Sequence, residues 1–179
     1  MTVVIDYAHN AAGLDTLGDF VDRLTADPPT GERPGEASWT ANLRVAVVAT
    51  AGDRRDDDML ELGRVAARYF DDVIVREDRH ARGRQRGETA ELIRQGVEEA
   101  MSAGGARAGS VEVELDEMEA ARKALDRSRP GDLVVLCVVY ATDVFKELEK
   151  RRGVAAPDVL RAHDEGGVQG SGGDPDLAG

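Results

Sequence analysis

The chain has 179 residues and a mass of 19.2 kDa, which suits one domain with a substantial hydrophobic core. Hydrophobic residues make up 41% of the sequence, a share typical of globular rather than disordered proteins. The formal net charge of −12 and the pI near 4.7 argue against nucleic acid or an anionic membrane surface as a partner.

Short apolar runs alternate with amphipathic segments along the chain. The apolar runs predict five strands, at residues 2–6, 43–50, 72–77, 110–115 and 131–139. Apolar residues at helical spacing predict five helices, at residues 12–24, 57–70, 88–102, 116–128 and 143–153. This alternation predicts a Rossmann-like α/β fold, with a mostly parallel sheet of about five or six strands and helices on both faces.

Two segments do not fit this alternation. Residues 26–42 are rich in Pro and Gly, and we expect an exposed insertion whose Trp39 packs against the body of the domain. Residues 156–179 are acidic and Gly-rich, and their low apolar content predicts a flexible tail. The folded domain is therefore expected to comprise residues 1–155.

The chain has one cysteine, Cys137, which excludes an intramolecular disulfide and a cysteine-based zinc site. Its position within the apolar run LVVLCVV favours a small buried side chain over a nucleophile. No segment resembles a signal peptide, and no apolar stretch reaches the roughly 20 residues of a membrane span. We therefore expect a cytoplasmic protein that does not bind membranes.

Polar clusters follow the first three predicted strands. They are DYAHN at 6–10, AGDRRDDD at 51–58 and REDRHARGR at 76–84. Because ligands of open α/β sheets bind outside the carboxyl ends of the strands, the three clusters are expected to form one site. Arginine binds carboxylates and phosphates, and a carboxylate at a strand end can accept hydrogen bonds from ribose hydroxyls. No Walker-type or GxGxxG segment is present, so the chain has no phosphate-binding loop of its own.

Each cluster also has a structural interpretation. Asp6 suits a backbone turn, Asn10 a helix N-cap, and His9 a hydrogen-bonded loop position. The acids after Gly52 match a helix dipole, and the arginines from 76 to 86 could form a solvated loop. Taken singly, each cluster favours the structural interpretation, whereas their coincidence at one sheet edge favours an anion-binding site.

The segment VIDYAHNAAGL at 4–14 resembles the DYAHNP signature that opens the C-terminal domain of the Mur ligases, which form amide bonds at the expense of ATP. The segments at 52–88 and 131–149 are more similar to the cyanophycin synthetases of that family than to its peptidoglycan enzymes. The likeness extends over about residues 2–152. It implies a Rossmann-like domain, in agreement with the alternation of strands and helices.

This resemblance also implies roles for individual residues. The domain would bind ATP and the incoming amino acid of an acid–amino acid ligase and would be inactive alone. Asp6 would bind the ribose, while Tyr7, His9 and Asn10 would line the adenine side. Arg54 would contact a carboxylate of the incoming amino acid. The remaining residues assigned to the amino-acid pocket are Asp53, Arg76, Asp78, Arg82 and Arg84. No catalytic residue or metal ligand is assigned to this domain.

The sequence departs from the family pattern at its start. Ala11 stands where the family has proline, and the arginine that contacts the ATP phosphates, upstream of DYAHN in the family, has no counterpart. The family's P-loop, magnesium ligands and carbamylated lysine belong to a central domain that this sequence lacks. ATP and Mg are therefore expected only with that domain, in the same or a partner chain. The start at this motif fits either an excised domain or a gene that encodes only this part.

Two other functions remain open from the sequence. The chain could be a stand-alone module that has kept the fold and binds a nucleotide or an amino acid without ligase activity. It could also be an independent hydrolase that uses His9 with a nearby acid. We rank the hydrolase last because no spacing in the sequence indicates a pair of base and nucleophile.

Overall fold

The computed structural model describes residues 1–26, 41–80 and 82–152. The five strands are β1 (Thr2–Asp6), β2 (Arg44–Val48), β3 (Asp72–Val75), β4 (Ser110–Val113) and β5 (Leu133–Cys137). The five helices are α1 (Ala11–Ala26), α2 (Asp56–Tyr69), α3 (Glu88–Ala103), α4 (Glu117–Arg127) and α5 (Ala141–Arg152). Most of the predicted insertion, with Trp39, and the predicted tail lie outside the described residues.

The strands form one parallel sheet with the order β1-β5-β2-β3-β4. This confirms the predicted α/β architecture, and the strand ends lie within two residues of the predicted ones. Every residue of β2, β3 and β5 is buried, which explains their nearly continuous apolar sequences. Strands β1 and β4, at the two edges of the sheet, are partly exposed.

Helices cover both faces of the sheet. The connections from β1 to β2, β2 to β3 and β3 to β4 run in one direction along the sheet, and the connection from β4 to β5 runs back. Right-handed crossovers therefore place α1, α2 and α3 on one face and α4 on the other. Consistent with this, α2 contacts both α1 and α3, whereas α4 contacts strands β2, β3 and β5. The buried face of α4 consists largely of alanines, which allow a close approach to the sheet.

Helices α2 and α3 cross at two glycines. A Cβ atom on Gly63 would lie 2.1 Å from the carbonyl oxygen of Ile93, and one on Gly96 would lie 2.1 Å from that of Leu60. The obstructing atoms belong to the backbone, so no side-chain rotation could make room. The two backbones can therefore approach each other this closely only because both positions lack a side chain.

Residues 1–141 form one compact unit, which contains the whole sheet and helices α1 to α4. A second unit begins at Thr142 and contains nearly all of α5. Among the described helices, none combines the length and the apolar content that a membrane crossing requires. The candidate site belongs to the first unit.

Candidate functional site

A cleft opens at the carboxyl ends of β1, β5, β2 and β3. Its volume is about 80 Å³, well below the roughly 300–1,000 Å³ of complete small-molecule sites. The cleft can therefore hold only part of a ligand unless another surface completes it. Its lining residues are Tyr7, Ala8, His9, Ala49, Thr50, Ala51, Arg54, Arg76, Asp78, Arg82, Cys137, Val138 and Val139.

The first wall of the cleft is the turn between β1 and α1. Tyr7 is 60% exposed, and its ring centroid lies 5.0 Å from that of His9. The His9 ring nitrogen Nδ1 lies 3.0 Å from the carbonyl oxygen of Tyr7. The hydroxyl of Thr50 donates a 2.8 Å hydrogen bond to the carbonyl oxygen of His9, which ties this turn to the end of β2. The two rings thus stand at the mouth of the cleft on an anchored backbone.

The two other polar residues of this turn do not line the cleft. Asp6 accepts a 2.7 Å hydrogen bond from the backbone N–H of Ala8, as a turn-forming aspartate does. The side chain of Asn10 accepts one of 2.8 Å from the N–H of Gly13, which makes Asn10 the N-cap of α1. Asp6 lies instead in a more open groove between β1 and α1 that includes Phe20. The predicted N-cap role of Asn10 is therefore confirmed.

The second wall is the GDR turn, residues 52–54. Arg54 lines the cleft, and its guanidinium has no hydrogen bond or ion pair within the described part of the chain. Its neighbour Asp53 is paired with Arg82 at 2.8 Å, and this hydrogen bond holds the pKa of the Asp53 carboxyl below its ordinary value. Arg82 takes a left-handed backbone conformation (φ 47°) that non-glycine residues rarely adopt. Arg54 is therefore the side chain on this wall that is free to bind an external anion.

Arg84 is fixed to the same turn and does not line the cleft. Its guanidinium donates 2.8 Å hydrogen bonds to the carbonyl oxygens of Gly52 and Arg54. It also pairs with Asp56 and Glu88, each at 2.6 Å. Most of its donors are thereby occupied within the protein, and its side chain is only 18% exposed. Of the residues assigned to the amino-acid pocket, Arg54, Arg76, Asp78 and Arg82 line the cleft, whereas Asp53 and Arg84 do not.

The floor of the cleft contains a buried ion pair that the sequence analysis missed. Arg76 lies 3.1 Å from Glu117, the first residue of α4, and donates two hydrogen bonds to the carbonyl oxygen of Cys137. Burial lowers the pKa of the Arg76 guanidinium, an effect that the charge of Glu117 opposes. In the sequence, Glu117 is one of several acids in the first turn of a helix, and no local signal separates it from its neighbours.

The sequence analysis also did not identify the segment that follows β5 as part of the site. We call residues 138–140 the β5 loop. Val139 lines the cleft, and the guanidinium carbon of Arg79 lies 4.3 Å from the centroid of the Tyr140 ring, in a cation–π contact. Burial raises the pKa of the Cys137 thiol, which also lines the cleft, to about 12. The thiol is thus a buried hydrophobic group, as its apolar sequence context indicates.

The cleft brings together groups that can bind an anion and a planar ring. An unpaired guanidinium, two aromatic rings and the buried backbone of three strand ends face one small space. Among the residues that the structure describes, no group of three or more His, Cys, Asp or Glu side chains could hold a metal ion.

Comparison with known proteins shows the family of this chain. Residues 1–137 match the family described as Mur ligase, glutamate ligase domain. The chain is 36% identical over 156 residues to cyanophycin synthetase of a Nostoc species, covering 87% of the chain and 15% of that protein. It is 42% identical over 146 residues to cyanophycin synthetase of a Synechocystis species, covering 82% of the chain and 14% of that protein.

A solved structure supports the fold. The structure of UDP-N-acetylmuramoyl-L-alanyl-D-glutamate–2,6-diaminopimelate ligase superimposes with a TM-score of 0.58 at 18% sequence identity. The match covers 84% of the present chain and 29% of the ligase chain. Both kinds of relative are several times longer than the present chain.

Proposed function

The chain belongs to the Mur ligase family as its C-terminal domain, and from this premise we propose that it forms half of a ligase active site. The complete enzyme would be an ATP-dependent acid–amino acid ligase that resembles cyanophycin synthetase. This domain would bind the incoming amino acid and the ribose and adenine of ATP, and it would be inactive alone. A central domain, in the same or a partner chain, would supply the phosphate-binding loop and the Mg²⁺ ligands.

The observation that carries this proposal is the unpaired guanidinium of Arg54 in a cleft too small for a whole ligand. In an acidic protein, where Arg82 and Arg84 are both paired with carboxylates, Arg54 alone among these three has no such partner in the described chain. A guanidinium binds a carboxylate through two parallel hydrogen bonds. Arg54 is therefore the side chain that we assign to the α-carboxylate of the incoming amino acid.

Of the residues that we assign to the nucleotide, Tyr7 and His9 line this cleft, and Asp6 and Asn10 lie beside it. Tyr7 and His9 offer ring faces to the adenine base. Within the described chain, the carboxylate of Asp6 accepts one hydrogen bond, from the backbone N–H of Ala8. Carboxylate oxygens accept more than one hydrogen bond, so Asp6 can still accept from the ribose hydroxyls. Asn10 uses its side-chain oxygen to cap α1, and its role is to hold the turn in shape for the other three.

In the ligase reaction, ATP activates a substrate carboxylate as an acyl phosphate, which the amine of the incoming amino acid then attacks. The contribution of this domain is to hold that amino acid by its carboxylate and to exclude water when the cleft is closed. Orientation of this kind accelerates a bimolecular step without a catalytic side chain in the domain itself.

Calorimetric titration of the 179-residue chain with ATP and with AMP-PNP, at matched ionic strength, tests the nucleotide half of the site. Asp6→Asn is the informative variant, because its amide oxygen can still accept the hydrogen bond of Ala8 while the charge is lost. Asp57→Ala, an exposed acid of α2, is the control. We expect weak binding by the wild type, a loss of about tenfold in Asp6→Asn, and no change in the control.

Titration with L-aspartate and L-arginine tests the amino-acid half, because both present an α-carboxylate. Binding of either amino acid without any binding of ATP would favour the stand-alone amino-acid module over the ligase domain. Equal affinity of the wild type and Asp6→Asn for ATP would contradict the role of Asp6. Hydrolysis of ATP by the chain alone would contradict the proposal that it is an incomplete site.

A further inference from the structure

The carboxylate of Glu117 binds the backbone of the β5 loop. Its Oε2 accepts a 2.9 Å hydrogen bond from the backbone N–H of Val139, and its Oε1 accepts one of 2.8 Å from that of Tyr140. Two consecutive N–H groups that converge on one anion form a small anion-binding nest. Here the anion is a side chain of the protein itself, and it is only 3% exposed.

The charge of this buried carboxylate is balanced by Arg76. The two side chains lie 3.1 Å apart, and that of Arg76 is only 6% exposed. The remaining contacts of Arg76 are also internal, with hydrogen bonds of 3.2 and 3.0 Å to the carbonyl oxygen of Cys137. Arg76 follows β3 and Cys137 ends β5, so this guanidinium bridges two strand ends across β2. Removal of either charge would leave the other buried and unpaired, which is strongly unfavourable.

We propose that Glu117 is a positioning residue of the cleft. Together with Arg76 it fixes the β5 loop in the conformation that places Val139 in the cleft wall and the Tyr140 ring against Arg79. This positioning role does not depend on the proposed function, which enters only through the identity of the ligand. Arg76 then belongs to the scaffold beneath the cleft, and Arg54 remains the guanidinium that meets the ligand.

The contacts explain why a charged pair occupies this position. The β5 loop is joined to the segment after β3 at two points, through Arg76 at Cys137 and through Arg79 at Tyr140. The backbone N–H of Val138 donates to the carbonyl oxygen of Asp6, whereas those of Val139 and Tyr140 would lack partners in an apolar environment. Glu117 satisfies both of them, and Arg76 offsets the charge that Glu117 brings into the interior.

Amide hydrogen exchange measured by NMR tests the positioning directly. The variant Glu117→Gln keeps the shape of the side chain but offers one acceptor and one donor to two N–H groups. We expect exchange at Val139 and Tyr140 to become about 10- to 100-fold faster, and exchange at Val135 in the middle of β5 to remain slow. Glu119→Gln, an exposed residue of the same helical turn, is the matched control and should change neither.

Rescue by acetate tests the nest as an anion site. Glu117→Ala removes a methylene and a carboxylate, the groups that acetate supplies. Acetate should therefore slow exchange at Val139 and Tyr140 in this variant and raise its melting temperature, whereas chloride at the same ionic strength should not. Glu119→Ala is the control. If Glu117→Ala does not fold in buffer, refolding in acetate but not in chloride gives the same evidence, and Glu117→Gln carries the exchange measurement.

A ligand titration separates positioning from simple stabilisation. At a temperature where both proteins are folded, we expect Glu117→Gln to bind L-aspartate about tenfold more weakly than the wild type. Equal affinity, unchanged exchange at the β5 loop, or an equal acetate effect on both alanine variants would each overturn the proposal. If the wild type binds no amino acid, the proposed function fails, and the exchange and rescue results alone decide the role of Glu117.

Discussion

The guanidinium of Arg84 donates a 2.8 Å hydrogen bond to the backbone carbonyl oxygen of Arg54. A second bond of the same length, from Arg84 to the carbonyl oxygen of Gly52, holds the other side of the turn. One arginine thus fixes the backbone on which a second arginine is presented to the cleft. The two residues carry the same charge and have different tasks, which leads to the first two predictions.

Arg54→Ala should abolish most carboxylate binding without affecting the fold. We expect the affinity for L-aspartate to fall about 10- to 100-fold, because a charge-assisted bidentate contact is lost. The affinity for ATP should change less than about twofold, since Tyr7 and His9 are untouched. Calorimetric titration measures both. The control is Arg55→Ala, which removes the exposed arginine next to Arg54, a residue that pairs with Asp58 of α2. An equal loss of affinity for L-aspartate and for ATP in Arg54→Ala would contradict the assigned role.

Arg84→Met should lower both stability and carboxylate affinity although Arg54 is retained. The loss of two hydrogen bonds to backbone carbonyls in a mostly buried position should reduce the free energy of unfolding by about 2 kcal/mol. Because Arg84 would no longer hold the GDR turn that carries Arg54, the affinity for L-aspartate should also fall. Urea denaturation and titration are the measurements. The control is Arg94→Met, because Arg94 pairs with Glu91 and Glu98 on the surface of a single helix. This substitution should lower the free energy of unfolding by at most about 0.5 kcal/mol. Unaltered affinity would show that Arg84 only stabilises the fold.

Gly96→Ala should destabilise the domain even though alanine is the better helix former. The added Cβ would lie 2.1 Å from the carbonyl oxygen of Leu60, so the two helices would have to separate. We expect a loss of about 3 kcal/mol in the free energy of unfolding, measured by urea denaturation. Ser102→Ala, at an exposed position of the same helix, should be neutral or slightly stabilising. A neutral result for Gly96→Ala would mean that α2 and α3 are not packed this closely.

Tyr69 should make stability depend on alkaline pH. Burial, together with hydrogen bonds to Asp15 and Asp19, raises the pKa of its phenol from 10 to about 12. The stabilisation is complete below pH 10 and is lost as the pH rises towards 12, because the unfolded phenol ionises first. Urea denaturation at pH 9 to 12 should show this decline in the wild type and a smaller one in Tyr69→Phe. The absorbance difference between the two proteins at 295 nm reports the ionisation of Tyr69 itself.

The fold could be predicted from the sequence because its signals are local. Apolar runs such as residues 44–48 have few alternatives to a buried parallel strand, and the spacing of apolar residues in α2 fixes which face is buried. The motif at residues 6–10 and the GDR turn likewise identify the Mur ligase family from the sequence alone. Asn10 behaves as its position predicts, since a cap depends only on residues three positions away.

Only the tertiary structure decided which charged residues are free and which are paired. The sequence presents Arg54, Arg76 and Arg84 as equivalent residues of polar loops, yet Arg76 is paired with a glutamate 41 positions further along the chain and Arg84 with two backbone carbonyls more than 25 positions before it. Such partners meet only when the order β1-β5-β2-β3-β4 brings the strand ends together. The sequence by itself therefore determined the elements and the family, whereas the long-range pairing of charges determined which arginine of the cleft remains unpaired in the described chain.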